Sequence, residues 1–387
     1  MDTEAAPDNY CAAPFRHMVL ESNGRMSPCC LWNHGSLPDH ARPSALVDDP
    51  FNQAWMQQVR SDMLANTEMA GCSECNMREA SGVKSLRTAF NLDYGQPTEP
   101  QLRYIEFNLG NLCNLKCRMC GSWSSSKWAA DEIALGLRPD ELVRPQIHMI
   151  TPYLDSIDKL RFIGGEPSLE QDSIITILEQ IKAVKGNLWH LRVDLTTNCM
   201  VLLEPKLIDM LGQCQRVELQ CSIDGYGKAN DYQRTGADWT TLTNNLKWYQ
   251  THLPSVIEPM ILTSWSLLNV NSAIDFLAFV KKHLPRLFVW GHLVREPLHL
   301  DICNTPPQFK SVLISRLQRW TEHDDLHWVQ HNKRVLISQL MADATMKSDD
   351  VLNNLARLDK LRHEDFAVVD PEMHAALVAA CENTNQA

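Results

Sequence analysis

At 387 residues, with 44% apolar and 21% charged residues, the chain has the material for one large α/β domain and a smaller one, and its composition excludes collagen, coiled coil and wholesale disorder. A net charge of −11 argues against gripping a nucleic-acid backbone through a general positive surface. The acidic start MDTEAAPDNY is not a secretory signal, and no run reaches the roughly 18 apolar residues of a membrane span, so the expectation is a cytoplasmic protein with no membrane partner.

In that compartment thiols stay reduced. The 13 cysteines therefore suit metal or cluster ligation better than a disulfide framework. Cys11, Cys29, Cys30, Cys72 and Cys75 fall in a first region that reads as loop-rich. In NLDYGQPTEP, Gly95, Pro97 and Pro100 mark a boundary near residue 98.

Beyond that boundary, short apolar runs alternate with amphipathic segments, the pattern of repeated βα units and a parallel sheet. RYIEFNLG, KLRFIGG, HLRVDLTTN, RVELQCSID, PMILTSWSLLN and LFVWGHLV are the six predicted strands. SIITILEQIKAVK and SAIDFLAFVKKHL, with apolar residues three and four apart and Lys in the last turn, are predicted crossover helices. Six such units predict a partial (β/α)6 TIM-like barrel. FKSVLISRLQRW, HWVQHNKRVLISQLM and DDVLNNLARLDKL predict a helical C-terminal tail. The expected divisions are 1–98, 99–296 and 297–387.

NLCNLKCRMC follows the first of these strands and gives Cys113-x3-Cys117-x2-Cys120. Loops leaving the carboxyl ends of parallel strands build active sites. Three thiolates on a four-iron cluster leave one iron open for a ligand, and the alternative is a zinc loop or structural thiols. The second strand ends in Gly164-Gly165-Glu166-Pro167. There the glycines allow close backbone approach to a ligand, and Glu166 offers an acceptor for an amine. A plain tight turn is the alternative.

Together these residues resemble the radical S-adenosylmethionine (SAM) superfamily over residues 100–295. The resemblance implies a [4Fe–4S] cluster on Cys113, Cys117 and Cys120, with SAM at the open iron and its amino group at Gly164, Gly165 and Glu166. It implies further cofactor contacts at Asn198, Ser222, Asp224, Arg234 and Asn269, with the Arg234 fork suited to a carboxylate. The residue before the last cluster cysteine is often aromatic in that family, and here it is Met119. The implied chemistry is reductive cleavage of SAM to a 5′-deoxyadenosyl radical, which abstracts hydrogen from a substrate.

Cys11-x12-Gly24-x4-Cys29, followed by Cys72-x2-Cys75 after the spacer FNQAWMQQVRSDMLAN, resembles the twitch type of SPASM auxiliary domain. It implies a second [4Fe–4S] cluster on Cys11, Cys29, Cys72 and Cys75, with Cys30 an alternative to Cys29 and zinc an alternative to the cluster. The module precedes the barrel, where it usually follows. The expected partners are a peptide substrate, or else a carbohydrate, nucleoside or other small metabolite, and a flavodoxin or ferredoxin reductant. A non-catalytic iron–sulfur or zinc protein is the reading outside enzymology. Cys199, Cys214, Cys221, Cys303 and Cys381 show no ligand spacing and are read as structural.

Overall fold

The computed structural model describes residues 9–21, 24–35, 44, 47–80, 84–140, 147–320 and 326–384. Its strands, in chain order, are β1 His17–Leu20, β2 Met26–Ser27, β3 Tyr104–Asn108, β4 Lys116–Cys117, β5 Lys159–Ile163, β6 Arg192–Thr197, β7 Arg216–Ser222, β8 Arg234–Thr235, β9 Ile257–Trp265 and β10 Val289–Leu293. All six predicted strands are present, as β3, β5, β6, β7, β9 and β10. They belong to an eight-stranded sheet ordered β10-β9-β7-β6-β5-β3-β1-β2, the βα architecture expected from the sequence.

Two interleaved units make up the chain, one of residues 1–111, 141–195 and 203–217, the other of 112–140, 196–202 and 218–387. Strands β6 and β7 begin in the first and end in the second.

In the first unit β3 pairs in parallel with β1 and β5, β5 pairs in parallel with β6, and β2 returns antiparallel on β1. Alternation sets the two faces of these strands. Leu160 and Phe162 of β5, and Val193 and Leu195 of β6, are buried, whereas Lys159, Arg161, Arg192 and Asp194 are half-buried. The helix Gln171–Lys185 buries Ile174, Ile177, Leu178 and Ile181 along one stripe and ends at Gly186 in the left-handed region. That spacing is the helical period, and the glycine is the residue that tolerates a positive φ there.

The loop-rich expectation for the first region needs correcting. It contains β1, β2 and the helices Ala54–Leu64, Ser73–Ala80 and Leu86–Tyr94. β1 is four residues long and buried throughout, so no alternation exposes it in the sequence. His17 anchors it, with Nδ1 2.9 Å from the Pro28 carbonyl oxygen and its ring packed on Tyr104 and Phe90.

In the second unit β9 and β10 pair in parallel, and β4 and β8 form a separate antiparallel pair. The predicted helix at Ala273–His283 buries Ala273, Phe276, Leu277 and Val280 and carries Lys281, Lys282 and His283 in its last turn. The expected helical tail is formed by Pro307–Trp320, His327–Leu340, Ser348–Arg362, Phe366–Val369 and Pro371–Thr384. Among the described residues, no helix is long and apolar enough to cross a membrane.

Candidate functional site

The three cysteines of NLCNLKCRMC lie in the second unit, on the segment that leaves β3. Cys113 and Cys117 are buried with Leu115 in a small apolar cluster, against which Met119, Cys120, Met200 and Ala237 pack. Local hydrogen bonds give the loop its shape. The Leu115 amide donates to the Cys113 sulfur at 3.4 Å, the Ser125 hydroxyl to the Leu115 carbonyl at 2.6 Å, and the Trp128 indole to the Cys117 carbonyl at 2.8 Å. The neighbouring Cys120 first, and the Arg234 charge as well, draw the Cys117 thiol below its ordinary value against the opposing effect of burial. A thiol so placed is ready to become the thiolate that ligation requires.

Arg234 stands opposite Cys117 in the β4–β8 pair. Its Nη1 donates to Asp224 at 2.6 Å, and the fully buried Asp224 also accepts from the Ser264 amide at 2.6 Å. Asn269 donates to the Asp224 and Ser264 carbonyls, each at 2.9 Å. Asn198 donates to Asn114 at 2.7 Å, inside the cysteine loop, and Ser222 ends β7 half-buried. The structure therefore brings Asn198, Asp224, Arg234 and Asn269 into one polar framework joined to the cysteine loop. Within that framework one nitrogen of the Arg234 fork is already taken by Asp224.

Gly164, Gly165 and Glu166 lie in the first unit, after β5. Gly164 has φ +144, and a Cβ there would come 2.9 Å from the Gly110 carbonyl oxygen. Gly165 donates to that same oxygen at 2.7 Å. The close approach at Gly164 is thus to the chain's own backbone, which fixes the turn against residues 108–110. Glu166 is 2% exposed and caps the next turn by accepting from the Ser168 amide at 3.0 Å.

Also in the first unit, Cys11, Cys29, Cys72 and Cys75 line one cavity, together with Pro28, Trp32, Met63, Arg87 and Phe90. The turn after Cys29 is tied to the turn before Cys72 by the Asn33 amide donating to the Gly71 carbonyl at 3.0 Å. Trp32 covers Gly71 so closely that a Cβ there would meet its ring at 2.4 Å. Burial pushes the Cys11 thiol up to about 12 and raises Cys29 and Cys72 as well. Cys30 does not line this cavity. It is exposed. Among the described residues, no three His, Cys, Asp or Glu side chains converge at the spacing of ligands around a single metal ion. None of the 13 cysteines is in a disulfide, and Cys199, Cys214, Cys221 and Cys303 are buried.

Sequence patterns did not single out three arginines. Arg118 pairs with Asp359 and Glu364 and lies 3.6 Å from the Tyr232 ring centroid. Arg362 donates to Asp131, the Lys116 carbonyl and Thr235 at 2.9, 2.8 and 3.0 Å. Arg87 lines the four-cysteine cavity. Their partners are set by the fold, and no local spacing announces them.

Fold and site define an α/β protein with a three-thiol loop after a parallel strand and a separate four-thiol cavity. No family model matches the chain. A stretch of 142 residues is 31% identical to the GTP 3',8-cyclase of Synechococcus elongatus, covering 35% of this chain and 38% of that protein. A stretch of 146 residues is 26% identical to molybdenum cofactor biosynthesis protein 1 of Dictyostelium discoideum, covering 38% of this chain and 20% of that one. The chain thus spans well under half the length of these curated relatives. Among solved structures, anSMEcpe with bound AdoMet is similar over 58% of this chain and 61% of its own, at 18% identity and a TM-score of 0.41. Streptococcus suis SuiB bound to precursor peptide SuiA is similar over 79% and 60%, at 12% identity and a TM-score of 0.37.

Proposed function

We propose that the chain is a radical SAM enzyme whose Cys113, Cys117 and Cys120 hold a [4Fe–4S] cluster with one open iron. The observation that carries this reading is the gathering of three cysteines, none in a disulfide, at one apolar cluster, with Cys117 drawn toward thiolate by Cys120 and Arg234. The donor set is one that iron–sulfur clusters use, three thiolates being one short of a closed site. When bound, the cluster and SAM supply one-electron cleavage of the sulfonium to methionine and a 5′-deoxyadenosyl radical, which takes hydrogen from the substrate. The sequence kinship with the GTP 3',8-cyclase supports the same reading.

The protein's part is to bind, orient and exclude water. Leu115, Met119 and Met200 give the thiols an apolar surround, and the Asp224–Arg234 pair places a cation beside Cys117. Glu166 offers the carboxylate for the SAM amino group, with Gly164 and Gly165 shaping the turn that holds it. Asn198, Ser222, Asp224 and Asn269 are read as the remaining polar contacts to SAM, and the unused edge of Arg234 as the contact to its carboxylate.

Cys11, Cys29, Cys72 and Cys75 are read as ligands of a second [4Fe–4S] cluster, with residues 1–98 as the auxiliary module, 99–296 as the catalytic core and 297–387 as a helical extension. Four thiols around one cavity fit that role, and zinc is the competing occupant. The auxiliary module favours a peptide substrate, with electrons arriving from a reduced flavodoxin or ferredoxin in the cytoplasm. A second reading, a nucleoside or other small metabolite, is favoured by the stretch shared with the GTP 3',8-cyclase.

The deciding experiment is anaerobic reconstitution with iron and sulfide, then dithionite and SAM, with 5′-deoxyadenosine quantified by chromatography. Iron-loaded, folded protein that forms none would leave only the non-catalytic reading.

A further inference from the structure

Glu166 opens the short helix Pro167–Leu169 after β5, and its carboxylate accepts from the Ser168 amide at 3.0 Å. The Ser168 carbonyl accepts from the Gln171 side chain at 2.9 Å, and Gln171 in turn accepts from the Glu204 amide at 2.7 Å. All of these residues belong to the first unit. Both main-chain groups of Ser168 are therefore engaged, and the turn is tied to the start of the helix Pro205–Leu211.

The Ser168 hydroxyl is not engaged. Ser168 is 3% exposed, and among the described residues its Oγ has no hydrogen-bond partner. A serine hydroxyl in a helical turn commonly bonds a carbonyl three or four residues back, and here neither Gly165 nor Gly164 receives it. Burying a hydroxyl unpaired costs free energy that an alanine of nearly the same size would not. As packing alone, serine is thus the less stable choice at this position.

Glu166, 2% exposed, stands two residues earlier in the same turn. Its Oε1 touches the amide of the residue that carries the hydroxyl, so a group held by Glu166 comes within a side chain's length of Ser168 Oγ. An amino group carries at least two N–H donors, and one contact to a carboxylate leaves another in need of an acceptor. In a buried turn that donor and the Ser168 oxygen satisfy each other.

We propose that the Ser168 hydroxyl is a second acceptor for the amino group of SAM, alongside Glu166, and contributes to cofactor binding instead of to the stability of the fold. The inference rests on the reading of Glu166 as the contact to that amino group. Ser168 binds and orients, and takes no proton in the reaction.

The test uses the full chain, reconstituted anaerobically with iron and sulfide, and measures SAM affinity by calorimetry and, without SAM, the urea midpoint of unfolding. Ser168→Ala is expected to bind SAM about tenfold more weakly. Its SAM-free form is expected to unfold at the parent's urea concentration or a higher one, because the substitution removes an unpaired buried oxygen. Unchanged SAM affinity in Ser168→Ala, with binding weakened in Glu166→Gln, overturns the role of Ser168 and leaves the amine site standing. A urea midpoint that falls along with the affinity overturns it too, since the hydroxyl then supports the turn itself. Unchanged affinity in both variants overturns the reading of Glu166 and the role of Ser168 with it.

Discussion

Arg362 Nη1 donates to the Lys116 carbonyl oxygen at 2.8 Å, joining positions 246 residues apart immediately before Cys117. The same guanidinium bonds Asp131 and Thr235 and lies 4.4 Å from the Trp128 ring centroid. Arg118, inside the cysteine motif, reaches back to Asp359 and Glu364. The C-terminal helices therefore hold the cysteine loop and β8 in place, within the second unit, through buried ionic contacts.

Removing one partner of a buried ion pair leaves the other charge without compensation, which typically costs about 3 to 5 kcal/mol. Arg362 is 1% exposed and Asp131 8% at the side chain. Arg362→Ala is accordingly expected to lose about 3 kcal/mol of stability in anaerobic urea denaturation, and its iron should be released faster than in the parent protein. A loss under about 1 kcal/mol would mean that the helical extension does not hold the loop.

If both cysteine groups hold four-iron clusters, anaerobically reconstituted protein should contain about eight irons per chain. Changing Cys113, Cys117 and Cys120 together to Ala should remove about half, whereas Cys30→Ala should remove none, because Cys30 does not line the four-cysteine cavity. One zinc with about four irons, by elemental analysis, would replace the auxiliary cluster with a zinc site.

What the sequence disclosed, and what it withheld, follows from the range of the interactions. The period of β5 and β6 and the cysteine spacings are local, so the two cysteine groupings and the six βα strands were legible. β1 was not, because HMVL is short and buried throughout, and its pairing with β2 and β3 is what makes it a sheet strand. The choice between Cys29 and Cys30 was equally beyond local reading. Adjacent residues in a turn face different surroundings, and here Cys29 lines the cavity while Cys30 does not. Arg362 and Asp359 come from a tail whose sequence says helix and nothing more.

Glu166→Gln keeps the shape of the side chain and an oxygen for the Ser168 amide, so the turn should survive it. Loss of the carboxylate charge should weaken SAM binding about tenfold, or about 1.4 kcal/mol, with cluster absorbance unchanged. Arg234→Lys is the matching change at the other proposed contact, chosen because Arg234→Ala would leave the fully buried Asp224 unpaired. Calorimetry showing unaltered SAM affinity in both variants would displace the proposed cofactor site.

Burial lowers the His17 imidazole from its usual 6.5 to about 3. A base whose pKa is depressed by folding is neutral in the native state and charged in the unfolded one at intermediate pH. Its contribution to stability is thus fully present above 6.5 and is lost as pH falls toward 3. The slope in that window is about 1.4 kcal/mol per pH unit for the single group. His17→Phe preserves the ring packing on Tyr104 and Phe90 while removing the titration. The urea midpoint of the parent should therefore fall relative to that of His17→Phe with acidification, and parallel curves would show that His17 titrates normally in the fold.

The two cysteine sites have separate duties, since three ligands leave a reactive iron and four do not. Cys72→Ala with Cys75→Ala should retain dithionite-driven formation of 5′-deoxyadenosine from SAM, because the cysteine loop, Arg234 and Asp224 lie in the second unit and the altered residues in the first. Substrate conversion should be lost or diverted in that variant. Cys117→Ala should abolish both, as it removes the thiol that stands opposite Arg234 in the β4–β8 pair. Circular dichroism on each variant separates loss of chemistry from loss of fold. Persistent 5′-deoxyadenosine from the folded Cys117→Ala protein would overturn the assignment, because the proposed open-site cluster depends on all three thiols of that loop.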